Sequence, residues 1–519
     1  MKKYKARVGD LLVRPVVLLL FYFVFFLAIH LVLYRKIGAF GCFDDCPNIM
    51  VGWFLLKGRV LYEQIFYNHQ PLIAYLSAII QNFTKPQTIY QLIVYHRLFV
   101  YLFSFLFGTL IVLRFRITGV LFLLFYESTK YYFFGDRFLA EALLIYPTVF
   151  LFGVLWEAFR KRQYISQNDL LIGTIFAWMI VFLREPYVPL ALFLYVFLLV
   201  KTEKTQSRLI SLLVFGFLTI FLFLFFPLGD FYFNVVTVNS QFHLQRSFTP
   251  LEGVTLFFYT VAIFLYGKVT SLRFFEISLS VAFFVLIFLS LKQKMPFRLI
   301  MFLLVALGLA NLRFEEPGLM FYKSFHMLCW YSLFLFSIFL LLFTLKDKMG
   351  RMFQICIGAL LLSLGTFLFW PGSYLSEKTD SSVFFFLGYN QYFTTGELVK
   401  RLSTPSETLF LDGWNDLIYW QAQRISPYPY SWYTSIMPGF ERYTKARELL
   451  LARTPSDFFY GACKEWPFSK VSAKFLSRYK HVLFHFYPTC LYIRTPIASQ
   501  LSKNDIKNME ERGYTLLGK

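Results

Sequence analysis

The sequence predicts a polytopic α-helical membrane protein that carries an extracytoplasmic α/β domain at its C-terminal end. Three observations predict it. Hydrophobic residues make up 57% of the chain and aromatic residues 21%, with a mean hydropathy of +0.56, whereas soluble domains are about 45–50% apolar. Apolar runs long enough to cross a hydrocarbon core, which takes roughly 20 helical residues, recur up to about residue 370 and then stop. Finally, Lys and Arg fall in short clusters between those runs, as in the cytoplasmic loops of membrane proteins.

The first run, residues 12–34, follows Lys2, Lys3, Lys5 and Arg7. Its roughly 23 apolar residues exceed the h-region of a signal peptide and no small-residue cleavage site follows, so it reads as a first membrane helix leaving the cytoplasm. Basic clusters then recur at Arg114 and Arg116, Arg160 to Arg162, Lys201 to Arg208, Lys292 to Arg298 and Lys346 to Arg351, each one helical hairpin after the last. Spans that satisfy this spacing are 12–34, 89–113, 117–132, 138–158, 169–184, 187–200, 209–227, 274–291, 299–312, 319–345 and 352–370. About eleven crossings put the C-terminus outside the cell. Residues 251–268 are apolar but flanked by Lys268 and Arg273. Counting them as a crossing would place Lys292, Lys294 and Arg298 outside, so they read as an interfacial helix.

Two domains follow: a membrane domain over 1–370, with a long first outer loop at 35–88, and a soluble extracytoplasmic domain over 371–519. The formal charge of +21 does not mark a nucleic-acid binder, because the cations sit between apolar runs. No repeat is visible, nor the paired broken helices of an inverted-repeat transporter.

In the C-terminal part, Thr408 to Leu411 (TLFL), His481 to Phe486 (HVLFHF) and Leu491 to Arg494 (LYIR) read as strands, and 391–402 and 440–452 as helices. Cys463 and Cys490 lie there, Cys42 and Cys46 in the first outer loop, and Cys329 and Cys356 in predicted helices. Four of the six thus face an oxidising side in this topology. A Cys463–Cys490 disulfide and a pair of unlinked buried thiols both fit the sequence.

The first outer loop reads Phe43-Asp44-Asp45-Cys46-Pro47, then an apolar stretch ending Leu56-Lys57-Gly58-Arg59-Val60-Leu61-Tyr62, then Phe66-Tyr67-Asn68-His69-Gln70-Pro71-Leu72. An acidic pair before an apolar helical stretch is commonly a helix cap. The pair, a spacer, Gly-x-x-x-Tyr and His-x-Pro-Leu together resemble the first loop of the GT-C glycosyltransferases that use polyprenyl-phosphate sugars. Protein O-mannosyltransferases and lipid A aminoarabinose transferases belong to that superfamily. There the loop reads Asp-Glu, a short amphipathic helix, a Gly-containing turn and Pro-Pro-Leu, with the first Asp as catalytic base. Asp44 matches that base, Asp45 stands for the Glu, and His69-Gln70-Pro71-Leu72 matches a His-Pro-Pro-Leu with one proline changed.

The resemblance implies an inverting glycosyltransferase that moves a sugar from a polyprenyl-phosphate donor to an extracytoplasmic lipid, glycan or protein hydroxyl. General-base work on the acceptor proton suits a positioned carboxylate, so Asp44 and Asp45 are the catalytic candidates. A phosphate leaving group needs charge compensation more than protonation. His69, Asp136, Arg137, Glu141, Arg184, Lys323 and His326 are the candidate donor-binding residues. Gly135 to Glu141 falls where this family places polar groups, and Tyr322-Lys323-Ser324-Phe325-His326 is similar to the basic beginning of a late helix. Each has a structural competitor: Arg and Lys near helix ends snorkel, and Arg184 can pair with Glu185. His96-Arg97, about two turns into the second span, reads either as a functional ionisable group within the membrane or as snorkelling towards the outer surface, the latter being the reading preferred.

Cys42, Asp44, Asp45 and Cys46 are of metal-ligand type, but members of the mannosyltransferase type work without a metal, and no metal or cofactor is expected. The expected partners are the lipid-linked sugar, its acceptor and membrane lipids, in a plasma membrane. A transporter or flippase, and a polysaccharide ligase or polymerase, would share the composition and topology. A transporter would gather polar groups near the bilayer midplane, and a polymerase or ligase would use a large late outer loop.

Overall fold

The computed structural model describes residues 14–39, 41, 44–241, 270–311, 324–377, 381–413 and 416–517. Among these, seven helices are long and apolar enough to cross a bilayer: Pro15–Tyr34, Ile89–Phe115, Ala140–Lys161, Thr205–Phe223, Arg273–Lys292, Phe325–Met349 and Arg351–Phe369. The spans expected at 117–132, 169–184, 187–200 and 299–312 are occupied by shorter helices, Ile117–Thr129, Gln167–Leu183, Val188–Val200 and Phe297–Ala310. A helix of 13 residues, such as Ile117–Thr129, is about 20 Å long, less than a hydrocarbon core of about 30 Å. The interfacial helix expected at 251–268 lies outside the described residues.

Two compact units divide the chain. The first comprises Met1–Ile37, Arg97–Leu222 and Gln245–Asp380. At its centre stand Ala140–Lys161 and Phe325–Met349, each with 89% of its apolar window buried, whereas Thr205–Phe223 has only 11% buried. The first two are therefore core helices, and the last presents apolar side chains such as Leu213 and Phe217 outwards. Local sequence sets the joints. Arg116 alone reverses the chain between Ile89–Phe115 and Ile117–Thr129, at φ 55°. Gly119 follows because a Cβ there would sit 2.7 Å from the Ile111 carbonyl oxygen. Ser166 starts Gln167–Leu183 by accepting from the Asp169 amide, a side-chain N-cap.

The second unit comprises Gly38–His96, Phe223–Leu244 and Ser381–Lys519. Its sheet has five strands, β1 (Leu409–Leu411), β2 (Phe458–Tyr460), β3 (Tyr479–Phe484), β4 (Tyr487–Arg494) and β5 (Tyr514–Leu516), in the order β1-β2-β4-β3-β5. Only β1 and β2 are parallel, and the crossover that a parallel pair requires runs through Leu417–Ala422 and Glu441–Arg453. Phe410, Tyr428, Tyr433, Phe459, Tyr479 and Tyr492 form an aromatic core, into which Phe66 also packs. Cys463 and Cys490 are joined as a disulfide.

The segment 481–486, read as one strand from sequence, is instead the end of β3 followed by a turn. His485 and Phe486 take positive φ and the chain reverses into β4. Strands β2 and β5, of three residues each, had been too short to stand out by alternation.

Candidate functional site

The expected carboxylates lie in the second unit. Asp44 precedes the helix Asp45–Leu56 without making a side-chain cap, so the capping role open to it from sequence is not the one it plays. Asp44 is exposed and Asp45 fully buried in the first turn. Asn48, one turn on, donates to the Asp44 carbonyl (3.3 Å) and accepts from the Tyr67 hydroxyl (2.7 Å). The Tyr67 ring meets His69 edge-on at 5.5 Å, and the His69 carbonyl accepts from Tyr62 (2.8 Å). The loop motif therefore folds into one locality: Asp44 and His69, far apart in its text, are joined through Asn48 and Tyr67. Gly58, at φ 82°, makes the turn between them, a conformation that glycine adopts without steric cost.

His96 does not snorkel. It is fully buried, donating from Nδ1 to the Leu92 carbonyl (2.6 Å) and meeting Ser77 Oγ at Nε2 (2.9 Å). Gly52 permits this closeness, since a Cβ there would lie 2.3 Å from Ser77 Oγ. Protein burial, rather than the lipid surface, satisfies this histidine.

The remaining described candidates lie in the first unit. Asp136, Arg137, Glu141, Arg184 and His326 are each at most 5% exposed. Arg97, expected to snorkel, is fully buried too, and both Arg97 and Arg137 donate to the Ile37 carbonyl, the latter at 3.0 Å. Arg137 Nε stands 3.6 Å from Asp136 Oδ1. Arg184 pairs with Glu141 at 2.8 Å, with Glu185 only at 3.6 Å, so its main partner is Glu141 and not the neighbouring Glu185 that the sequence offered. Tyr187, one turn after Arg184, donates to the His326 carbonyl (2.9 Å). Lys323 lies outside the described residues.

Sequence reasoning missed part of this polar region. Lys36 is 2% exposed and bonds Glu377 at 2.6 Å. Deeper in the same unit, Glu127 meets Lys130 at 2.6 Å and His30 at 3.5 Å. Tyr146 donates to Glu127 (2.5 Å) and Lys130 to Ser104 (3.1 Å). The signal for these was present in the text: a carboxylate and an ammonium three residues apart inside an apolar run are costly unless they pair within the protein.

Burying charge costs several kcal/mol per ion, roughly, unless partners compensate it. Near the Ile37 carbonyl the compensation is incomplete on one side: among the described residues, neither Asp136 oxygen accepts a hydrogen bond. Among the described residues, Arg97 and Arg137 are buried together on the Ile37 carbonyl beside Asp136, while Lys36 pairs with Glu377 and Arg184 with Glu141 and Glu185. Guanidinium groups placed side by side can hold an anion, and Asp136 can accept from a hydroxyl.

For metal chemistry, the described residues bring Cys463, Glu465 and Cys490 together within 4.8 Å, but the two sulfurs are bonded to each other. Cys46 is likewise disulfide-bonded, so it offers no thiolate. No known family, curated protein or solved structure matches the chain.

Proposed function

We propose that this chain is an inverting glycosyltransferase of the GT-C type, with about eleven membrane crossings, which uses a polyprenyl-phosphate sugar in a plasma membrane. The observation that carries the reading is the pair of buried guanidinium groups, Arg97 and Arg137, on the Ile37 carbonyl beside Asp136. The first-loop resemblance supplies the rest. In this account Arg137, Arg97 and Arg184 neutralise the donor phosphate, which leaves as a dianion, and Asp136 orients a donor hydroxyl. Asp44, or its neighbour Asp45, takes the acceptor proton as the acceptor oxygen attacks the anomeric carbon. A single displacement of that kind inverts the configuration. The basic clusters support a cytoplasmic N-terminus and a sheet-bearing region on the outer side.

Purified full-length protein in lipid, given a panel of polyprenyl-phosphate sugars and followed by mass spectrometry, tests the assignment. Loss of one donor with release of polyprenyl phosphate supports it, and Arg137→Met should slow that loss by about 10²-fold or more, the scale of removing one charge-stabilising donor. A panel left wholly intact by the parent overturns it.

A second reading, a transporter of lipid-linked saccharide or of protons, is favoured by one observation: Glu127, Lys130 and His30 are ionisable groups buried within helices, where such residues often mark transport paths. Flux across proteoliposomes that stops in Glu127→Gln would select it.

A further inference from the structure

Strands β3 and β4 are joined by only two residues, His485 and Phe486, at φ 46° and 69°, closed by the facing pair Phe484 and Tyr487. Two-residue turns with positive φ at both positions favour Asn-Gly, and a bulky aromatic residue there is strained. The turn is held nonetheless. His485 donates its amide to the Gly513 carbonyl (2.8 Å), and Gly513, at φ 80°, leaves only 2.7 Å between a would-be Cβ and the His485 ring.

What the turn holds out is apolar. Phe484, Phe486 and Tyr487 are 42%, 84% and 77% exposed, and Pro488 is exposed beside them. An isolated exposed aromatic residue needs no explanation, but a run of them on a strained tip does.

We propose that the Phe484–Pro488 hairpin tip is a membrane-surface anchor, seated at the boundary between lipid headgroups and acyl chains. Three observations choose a bilayer as its occupant. Seven helices among the described residues are long and apolar enough to span one, so a lipid surface is at hand. Residues 466–504 carry Lys470, Lys474, Arg478, Lys480, Arg494 and Lys503 without one Asp or Glu, a bias that draws a surface towards anionic headgroups. Arg494 pairs with Asp457, and acids return only at Asp505, Glu510 and Glu511. The same unit also exposes Ile79 (52%) and Phe83 (81%) on a short apolar helix followed by Lys85. Phe and Tyr rings enter the interfacial layer without demanding the specific geometry of a protein pocket.

A nitroxide probe on the full-length protein tests this. Phe486→Cys is combined with Cys356→Ser, Cys329 being buried, and reconstituted into nanodiscs of phosphatidylethanolamine and phosphatidylglycerol. A label at Lys445, which is 68% exposed, serves as the water-facing reference. The anchor predicts that collisions with oxygen exceed those with a water-soluble nickel chelate at 486, and the reverse at 445. Nickel access at 486 equal to that at 445 overturns the proposal. Low access for both reagents also overturns it, since that marks burial against protein.

Discussion

The Lys130 ammonium lies 2.6 Å from the Glu127 carboxylate, and neither side chain reaches the surface. Tyr146 donates to Glu127 and Lys130 to Ser104, so the desolvated pair sits among further polar partners. Removing one partner of such a pair leaves a stranded charge. Lys130→Met should therefore destabilise the protein by about 3–5 kcal/mol, while the double variant with Glu127→Gln should recover most of that loss. Unfolding in detergent reads both. A single variant as stable as the parent would contradict the pairing.

A Cβ at Gly388 would lie 2.5 Å from the Gly41 Cα, and neither backbone can yield without moving its segment. Tyr389, next in sequence, anchors the same place through the Gly41 carbonyl. Gly388→Ala should cost about 1–3 kcal/mol, as overpacking does, whereas Gly439→Ala, with open space around it, should cost far less. Comparing the two melting temperatures isolates the packing effect.

The disulfide spans 27 positions, and closing a loop of that size stabilises by about 3–4 kcal/mol on the chain-entropy account. Cys463→Ser with Cys490→Ser should lower the stability of the second unit by that order. Thiol labelling before and after reduction should show the two cysteines reactive only after reduction. Labelling of both in the unreduced protein would refute the bond.

Burial pushes the Asp416 carboxyl up to about 7 from an ordinary value of 3.8. The folded state therefore holds a proton that the unfolded chain releases between those values. Its contribution is fully present below about pH 4, falls as pH rises, and is lost by about pH 7, worth up to about 4 kcal/mol. Asp416→Asn should flatten that part of the stability profile and raise stability at pH 8. An unchanged slope between pH 4 and 7 would show that another group governs it.

The membrane helices were legible because their signal is length and apolarity, and each expected crossing up to 227 has a described helix near it. Where the text misled, a local cause is visible. The turn at His485-Phe486 carries no Gly, Asn or Pro, so HVLFHF read as one strand. His96 and Arg97 looked like surface anchors because sequence does not show that Ser77 and Ile37 receive them. In the candidate site, Asp136, Arg137, Glu141 and Arg184 stood out as charges among apolar neighbours. Their pairing did not: the Arg184–Glu141 bond joins positions 43 apart, and Glu127 and Lys130 were absorbed into an apolar run. Sequence marks which groups are unusual, whereas only the fold says whether they are satisfied.

The central claim is that a carboxylate of the first loop deprotonates the acceptor of a lipid-linked sugar. The measurement that bears on it most directly is single-turnover consumption of a polyprenyl-phosphate sugar by full-length protein in lipid, parent against Asp44→Asn, with melting curves to show that both are folded. The account predicts donor loss in the parent and a rate lower by about 10²–10⁴-fold in the variant, the usual worth of a general base. Equal rates in the two folded proteins would remove Asp44 from the chemistry and contradict the claim.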